Sequence, residues 1–214
     1  MTGSAMNLPE PPRAAGSSHR RPPSGSLAAL LHFVWAGLVR HRQTGGIVPS
    51  QRFLVARMIA PVPAAYRGRV IELGAGSGAI TLALAHKCPA ARILACELNP
   101  TLARDNRRHL AAAGIDGRVE VVTDSAEDVL AMLGAKGMES PDFIISSLPL
   151  RNLGRKRACA IIDAVSRTLR HDGMYIQFQH SKFDRKKIEE KFPRTRTSSV
   201  LLNLPPAFVY YAQR

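Results

Sequence analysis

The chain has 214 residues, 45% of them hydrophobic, which suffices for one sizeable core and falls short of two full domains. Its net charge of +14 is unevenly held: residues 1–70 carry nine Arg against one acid, residues 71–150 seven basic against ten acidic residues, and residues 151–214 fourteen against five. Basic arms around a mildly acidic middle suit a polyanion, either nucleic acid or an anionic lipid surface, with a merely solubilising surface as the plain alternative.

The longest apolar run, Leu27–Val39, is too short to span a bilayer, which excludes a polytopic membrane protein. Cys88, Cys96 and Cys159 form no CxxC pair, which excludes a disulfide scaffold and a zinc ribbon and fits a reduced cytosolic compartment. No metal is expected.

Residues 1–25, rich in Pro, Gly, Ser and Arg without periodicity, read as a disordered tail. The n-region before Leu27 is long and proline-broken and no cleavage pattern follows, so a signal peptide is not expected. Ser26 can cap a helix to about Arg42, with Leu27, Leu30, Leu31, Val34, Trp35 and Leu38 on one apolar stripe. That helix either docks on the core or lies in a membrane interface with Trp35 near headgroup depth. A second helix begins near Ser50 and ends before Pro61, so residues 26–68 form a helical N-terminal unit.

From residue 69 onward the pattern is α/β. Apolar runs at Val70–Leu73, Ile93–Cys96, Val119–Val122, Phe143–Ser147 and Met174–Phe178 alternate with helices at Ala79–His86, Pro100–Ala113, Ala126–Leu133, Lys156–Leu169 and Phe183–Lys191. This alternation predicts a parallel sheet wound on both sides. Ser199–Leu202 and Phe208–Ala212, joined by Asn203-Leu204-Pro205-Pro206-Ala207, predict an antiparallel hairpin at the sheet edge.

The sharpest chemical signal is Val70-Ile71-Glu72-Leu73-Gly74-Ala75-Gly76-Ser77-Gly78, a buried strand breaking into glycines and opening a helix. Glycines there let the backbone turn tightly, approach a ligand and present helix N-terminal N–H groups. As text alone the stretch also fits a nicotinamide or flavin fingerprint, or a structural turn. Glu72 stands where a carboxylate can hold a cationic ligand. Glu97-Leu98, ahead of Asn99-Pro100, ends the next strand, where a carboxylate can accept both hydroxyls of a ribose. Asp124-Ser125-Ala126 after the third strand is placed for the exocyclic amine of an adenine.

With these residues the chain resembles class I S-adenosylmethionine-dependent methyltransferases. The resemblance implies a Rossmann-like, seven-stranded, mostly parallel α/β sheet with an antiparallel C-terminal hairpin. It also implies S-adenosylmethionine as donor, S-adenosylhomocysteine as product, and Glu72, Gly74, Ala75, Gly76, Ser77, Gly78, Glu97, Leu98, Asp124, Ser125 and Ala126 as the donor-binding residues. The methyltransferase domain is expected over residues 69–214.

The loop after the fourth strand reads Ser146-Ser147-Leu148-Pro149-Leu150-Arg151-Asn152. Methyltransferases of nucleobases usually carry an Asn side-chain amide and an aromatic ring here, and this chain has neither. Together with Ile47-Val48-Pro49-Ser50, Gln177-Phe178 and Asn203-Leu204-Pro205-Pro206-Ala207, the loop is similar to that of bacterial phospholipid N-methyltransferases, over about residues 47–211. That resemblance implies stepwise methylation of phosphatidylethanolamine towards phosphatidylcholine. An ornithine-type aminolipid remains open as substrate. Gln179-His180 departs from the Thr-Tyr-like pair of that family and leaves His180 as substitute for a catalytic tyrosine. Gln51-Arg52-Phe53-Leu54 resembles the ribosomal RNA adenine dimethyltransferases, which makes that activity the alternative, beside a non-catalytic domain that binds donor or nucleic acid.

The residues assigned to catalysis are Ser146 and Ser147, whose carbonyls can orient the amine, and His180. Leu148, Pro149 and Leu150 are assigned to the acceptor wall, and Arg151 and Arg155 to a lipid phosphate. A monomer associated peripherally with the cytoplasmic face of the membrane is expected, with lipid rather than nucleic acid as partner.

Overall fold

The computed structural model describes residues 49–135, 139–203 and 205–214. The expected tail, the Ser26–Arg42 helix with Trp35, and Ile47-Val48 lie outside the described residues.

Helix α1 (Pro49–Ile59) leads into β1 (Arg69–Leu73), α2 (Ala79–Lys87), β2 (Arg92–Cys96), α3 (Pro100–Ala112), β3 (Val119–Val122) and α4 (Ala126–Leu133). Then follow β4 (Phe143–Ser146), α5 (Arg155–Thr168), β5 (Met174–Gln179), α6 (Arg185–Glu189), β6 (Arg194–Val200) and β7 (Ala207–Gln213). The strands pair in the order β3-β2-β1-β4-β5-β7-β6, with β1 to β5 parallel and β7 antiparallel to both of its neighbours. The seven-stranded, mostly parallel sheet with its antiparallel C-terminal hairpin is the one expected from the sequence.

Alternation along β1 divides the core. Val70 faces a cluster with Met58 of α1, Leu84 of α2 and Leu110 of α3, whereas Ile71 and Leu73 face Leu130 of α4 and Ile162 of α5. A strand buried on both faces must be apolar at nearly every position, and Glu72 is the exception among the buried positions Val70–Leu73. Helix α3 starts where Asn99 Oδ1 accepts the backbone N–H groups of Thr101 and Leu102, with Pro100 in the first turn.

The first hairpin strand differs from its expected place at Ser199–Leu202. It runs over Arg194–Val200, and Leu201 and Leu202 fall in the turn, 74% and 67% exposed. An edge strand pairs on one side only, so Thr, Ser and Arg serve it well and the apolar reading pointed two residues too far along. Helix α6 is shorter than the expected Phe183–Lys191, and α5 begins one residue before Lys156.

Strand order reverses between β1 and β4. Because β1 to β5 are parallel, the loops after all of them emerge at one edge, and the reversal is the place where an open α/β sheet takes its ligand.

Candidate active site

The turn after β1 is pinned to the end of β2. The backbone N–H groups of Gly74 and Ala75 both donate to the Cys96 carbonyl at 2.9 Å. Gly76 N–H donates to Glu97 Oε2 at 2.8 Å, and Asn99 N–H to Glu97 Oε1 at 2.8 Å. Each oxygen of this buried carboxylate thus spends one acceptor position on the backbone and keeps another for a ligand hydroxyl. Gly76 has φ +57°, and a Cβ built on it meets nothing within 4 Å, so the turn leaves open space on that side. Gly78, at φ +96°, is required by packing as well, since its Cβ would stand 2.2 Å from Asn106 Oδ1.

Glu72 sits behind this turn and is 1% exposed. Its Oε2 accepts the Thr81 hydroxyl at 2.6 Å, and Thr81 Oγ1 accepts from Asn106 Nδ2 at 3.1 Å. Glu72 Oε1 and Asn106 Oδ1 are buried and find no hydrogen-bond partner among the described residues. Burial first, and then the negative charge of Glu97, push the Glu72 carboxyl up to about 8, against the lowering effect of the Thr81 hydrogen bond. A buried acceptor without a donor is costly, and a cationic ligand would relieve that cost.

At the end of β3, Asp124 is exposed and its Oδ1 accepts Ser125 N–H at 2.7 Å. Ser125 caps α4 by accepting Asp128 N–H at 3.1 Å, and Ala126 is buried beneath. Cys96 donates its thiol to the Asp124 carbonyl at 3.3 Å, which ties β2 to this loop. Burial and neighbouring carboxylates push that thiol up to about 12, so it stays protonated and inert.

The loop after β4 is rigidly held. Ser147 N–H donates to the Leu73 carbonyl at 2.9 Å, and the buried Ser146 hydroxyl accepts Leu148 N–H at 3.3 Å. The Leu148 carbonyl accepts Gln177 Nε2 at 3.0 Å and Gln179 Nε2 at 2.9 Å. Leu148 Cδ2 would lie 3.1 Å from a Cβ on Gly74, which brings this loop against the glycine turn. Pro149 is half-buried, and Leu150 is fully buried at the head of a 3-10 turn, Leu150–Leu153.

His180 follows β5 and is exposed. Its Nδ1 lies 3.1 Å from the Pro206 carbonyl, and its ring packs edge-on to Phe178. A carbonyl can only accept, so Nδ1 carries a proton, and Nε2 is the ring position left for the lone pair of the neutral form. Arg151 lies 4.6 Å over the Phe183 ring, and Arg155 is exposed at the start of α5. Gly154 offers that helix no side-chain cap, and Arg155, Lys156 and Arg157 fill its first turn and line a shallow groove of 430 Å³ with Leu153 and Ala160. Arg157 is paired with Glu127 of α4.

The structure therefore brings Gly74, Ala75, Gly76, Ser77, Gly78, Glu97 and Leu98 together, with Glu72 beneath them and Leu148 against them. Asp124–Ala126, His180 and Arg151 stand around the same edge, while Arg155 lies beyond a further helical turn. Thr81, Asn106 and Gln179 were missed as site residues. Thr81 is polar within Ala79-Ile80-Thr81-Leu82-Ala83-Leu84, and Gln177 and Gln179 recur at the period of one strand face; both patterns were visible signals. Among the described residues no group of His, Cys, Asp and Glu suits a metal, and no helix is long and apolar enough to cross a membrane.

Residues 70–173 match a family model described as a methyltransferase domain. An ornithine lipid N-methyltransferase from Singulisphaera acidiphila is 27% identical over 173 residues, covering 78% of this chain and 86% of that protein. Among solved structures, precorrin-6y C5,15-methyltransferase from Geobacter metallireducens superposes with a TM-score of 0.60 at 19% identity, covering 75% of this chain and 87% of that one. An O-methyltransferase from Bacillus cereus in complex with SAH gives 0.61 at 17% identity, over 89% and 93% of the two chains. These superpositions show a shared fold.

Proposed function

We propose that this chain, whose fold and matches are those of a class I S-adenosylmethionine-dependent methyltransferase, methylates the amine of a membrane lipid headgroup. Phosphatidylethanolamine and its methylated intermediates are the acceptors that the loop resemblance supports. The name of the relative from Singulisphaera acidiphila supports an ornithine lipid as the second reading. The observation that carries the proposal is the Ser146–Leu150 loop, which lacks the side-chain amide and ring that would hold a nucleobase.

The donor site fits its ligand on its own chemistry. Glu97 has acceptor positions left for ribose hydroxyls, Gly76 borders open space, and the unpartnered Oε1 of Glu72 suits a cation. Asp124–Ala126 would meet the adenine. When bound, the donor supplies an electrophilic methyl group on a sulfonium.

A lipid amine is largely protonated at neutral pH, and from a reference near 10.4 its neutralisation costs about 4–5 kcal/mol. The wall made by Leu148 and Pro149, backed from the core by the fully buried Leu150, excludes water and so disfavours the ammonium form. Carbonyls of Ser146 and Ser147 orient the nitrogen, and the two glutamine bonds to Leu148 keep that wall in place. His180 Nε2, with its lone pair free, receives the departing proton. Arg151 and Arg155 take an anionic group of the headgroup, beside the uncapped start of α5. The protein then works peripherally at the cytoplasmic face of the membrane.

Incubation with labelled methyl donor tests the reading across phosphatidylethanolamine, monomethylated phosphatidylethanolamine and ornithine lipid vesicles, with ribosomal RNA alongside. Label in an aminolipid and none in RNA is the expected result. Label confined to RNA would refute it.

A further inference from the structure

The three most exposed large apolar side chains among the described residues are Phe183 at 74%, Leu201 at 74% and Leu202 at 67%. They belong to two loops, one after β5 and one between β6 and β7. Both loops lie at the carboxyl edge of the sheet. Gln179 at the end of β5 pairs with Phe208 at the start of β7, and Val200 pairs with Ala207, so the β6–β7 turn projects beside the β5 loop. The His180–Pro206 hydrogen bond and the Tyr210 hydroxyl, which donates to the Ser181 carbonyl at 3.2 Å, tie the two loops together.

Cations stand among these apolar groups. The Arg151 guanidinium is 4.6 Å over the Phe183 ring, and Lys182 Nζ is 5.0 Å over the Phe208 ring. Arg155 and Lys156 are exposed nearby at the start of α5. Exposed apolar tips beside basic side chains match the two layers of an anionic bilayer surface, acyl carbon below and phosphate above. An aqueous polyanion would reward the cations but not Phe183, Leu201 and Leu202.

We infer that this rim, with Phe183, Leu201 and Leu202 as inserted tips and Arg151 and Lys182 at headgroup depth, docks the protein on anionic membrane. Docking in this orientation faces the Ser146–Leu150 loop and His180 towards the headgroups. The inference deepens the aminolipid reading and takes its purpose from it, although the docking itself is measurable without any methyl transfer.

The test compares the full chain with a triple variant, Phe183→Ser, Leu201→Ser and Leu202→Ser, by sedimentation with vesicles of phosphatidylglycerol and phosphatidylcholine in equal parts. The high exposure of all three predicts an unchanged thermal midpoint. The variant should partition onto these vesicles about tenfold less or weaker. On vesicles of the same composition that also carry phosphatidylethanolamine it should methylate that lipid proportionally more slowly, yet keep its rate on phosphatidylethanolamine dispersed in detergent. Wild-type binding should fall in high salt and on pure phosphatidylcholine vesicles. Unchanged partitioning of the triple variant would overturn the inference, as would equal wild-type binding to neutral and anionic vesicles. If the variant loses vesicle binding while no lipid is methylated in either form, the docking surface stands and the aminolipid acceptor falls.

Discussion

Gln179 donates its side-chain amide to the Leu148 carbonyl at 2.9 Å, although 31 residues separate them. Gln177 donates to the same oxygen at 3.0 Å, and its own Oε1 accepts the Tyr175 hydroxyl at 2.5 Å. The acceptor wall is thus fastened from β5 as well as by its own loop, where Leu150 N–H donates to the same carbonyl at 2.9 Å. Gln179→Leu removes one fastening, worth about 1 kcal/mol, and leaves the others. The variant should show a fall of about fivefold to tenfold in kcat/KM for the lipid, with donor affinity unchanged by calorimetry. A parallel loss of donor affinity would instead make Gln179 a general structural support.

Glu72 should make both stability and donor binding depend on pH. Its folded value of about 8 lies above the ordinary 4.5, so the fold favours the neutral carboxyl. Its contribution is complete below about 4.5 and is lost as pH rises through about 8, by at most about 4–5 kcal/mol. Glu72→Gln keeps a neutral side chain of the same shape. The wild-type melting temperature should therefore fall more steeply than that of the variant between about pH 5 and 9. A cationic donor favours the carboxylate, so binding near neutral pH should release a proton. Calorimetry in buffers of different ionisation enthalpy reads that proton directly, and the variant should show none from this site.

The sheet and the donor loop were legible because they follow from local patterns. Val70–Leu73 running into Gly74-Ala75-Gly76 can be read from a dozen residues, and Asn99-Pro100 announces a helix start. Parallel burial required the apolar runs that marked β1 to β5. The edge strand was harder: Arg194-Thr195-Arg196-Thr197 has no apolar face to read, and its pairing with β7 replaces that signal. The site was least legible where partners are distant in sequence. Glu72 is legible as a carboxylate at a strand end, but its partner Thr81, and Asn106 that in turn donates to Thr81, come from two different helices. Likewise the exposure of Leu201 and Leu202 contradicts their hydropathy, and only the turn geometry reveals it.

Glu97 offers a sharper comparison between two substitutions. Its carboxylate accepts one backbone N–H on each oxygen, from Gly76 and Asn99. Glu97→Ala strands both donors and should cost about 1–3 kcal/mol for each that stays buried. Glu97→Gln retains one acceptor and introduces a donor against the other N–H. Both should weaken donor binding by at least about a hundredfold if two ribose hydroxyls each lose a charged acceptor worth about 1.5–3 kcal/mol. Calorimetric titration with donor checks this, and undiminished affinity in Glu97→Ala would remove the carboxylate from the ribose.

His180 can be tested by giving the acceptor its neutral form from solution. Hydrogen bonding to the Pro206 carbonyl at 3.1 Å leaves Nε2 as the free ring position. If Nε2 receives the ammonium proton, His180→Gln should lower kcat at neutral pH by about tenfold to a hundredfold. Raising the pH towards the reference value of a free amine, about 10.4, supplies ever more neutral nucleophile. The deficit of the variant should then shrink, and its rate should approach that of the wild type. A histidine that only fastens the β5 loop to the hairpin predicts another pattern: a deficit that persists at every pH, accompanied by a lower melting temperature. The two profiles differ in shape as well as in size, so the pH dependence of kcat on a detergent-dispersed aminolipid separates proton transfer from loop support.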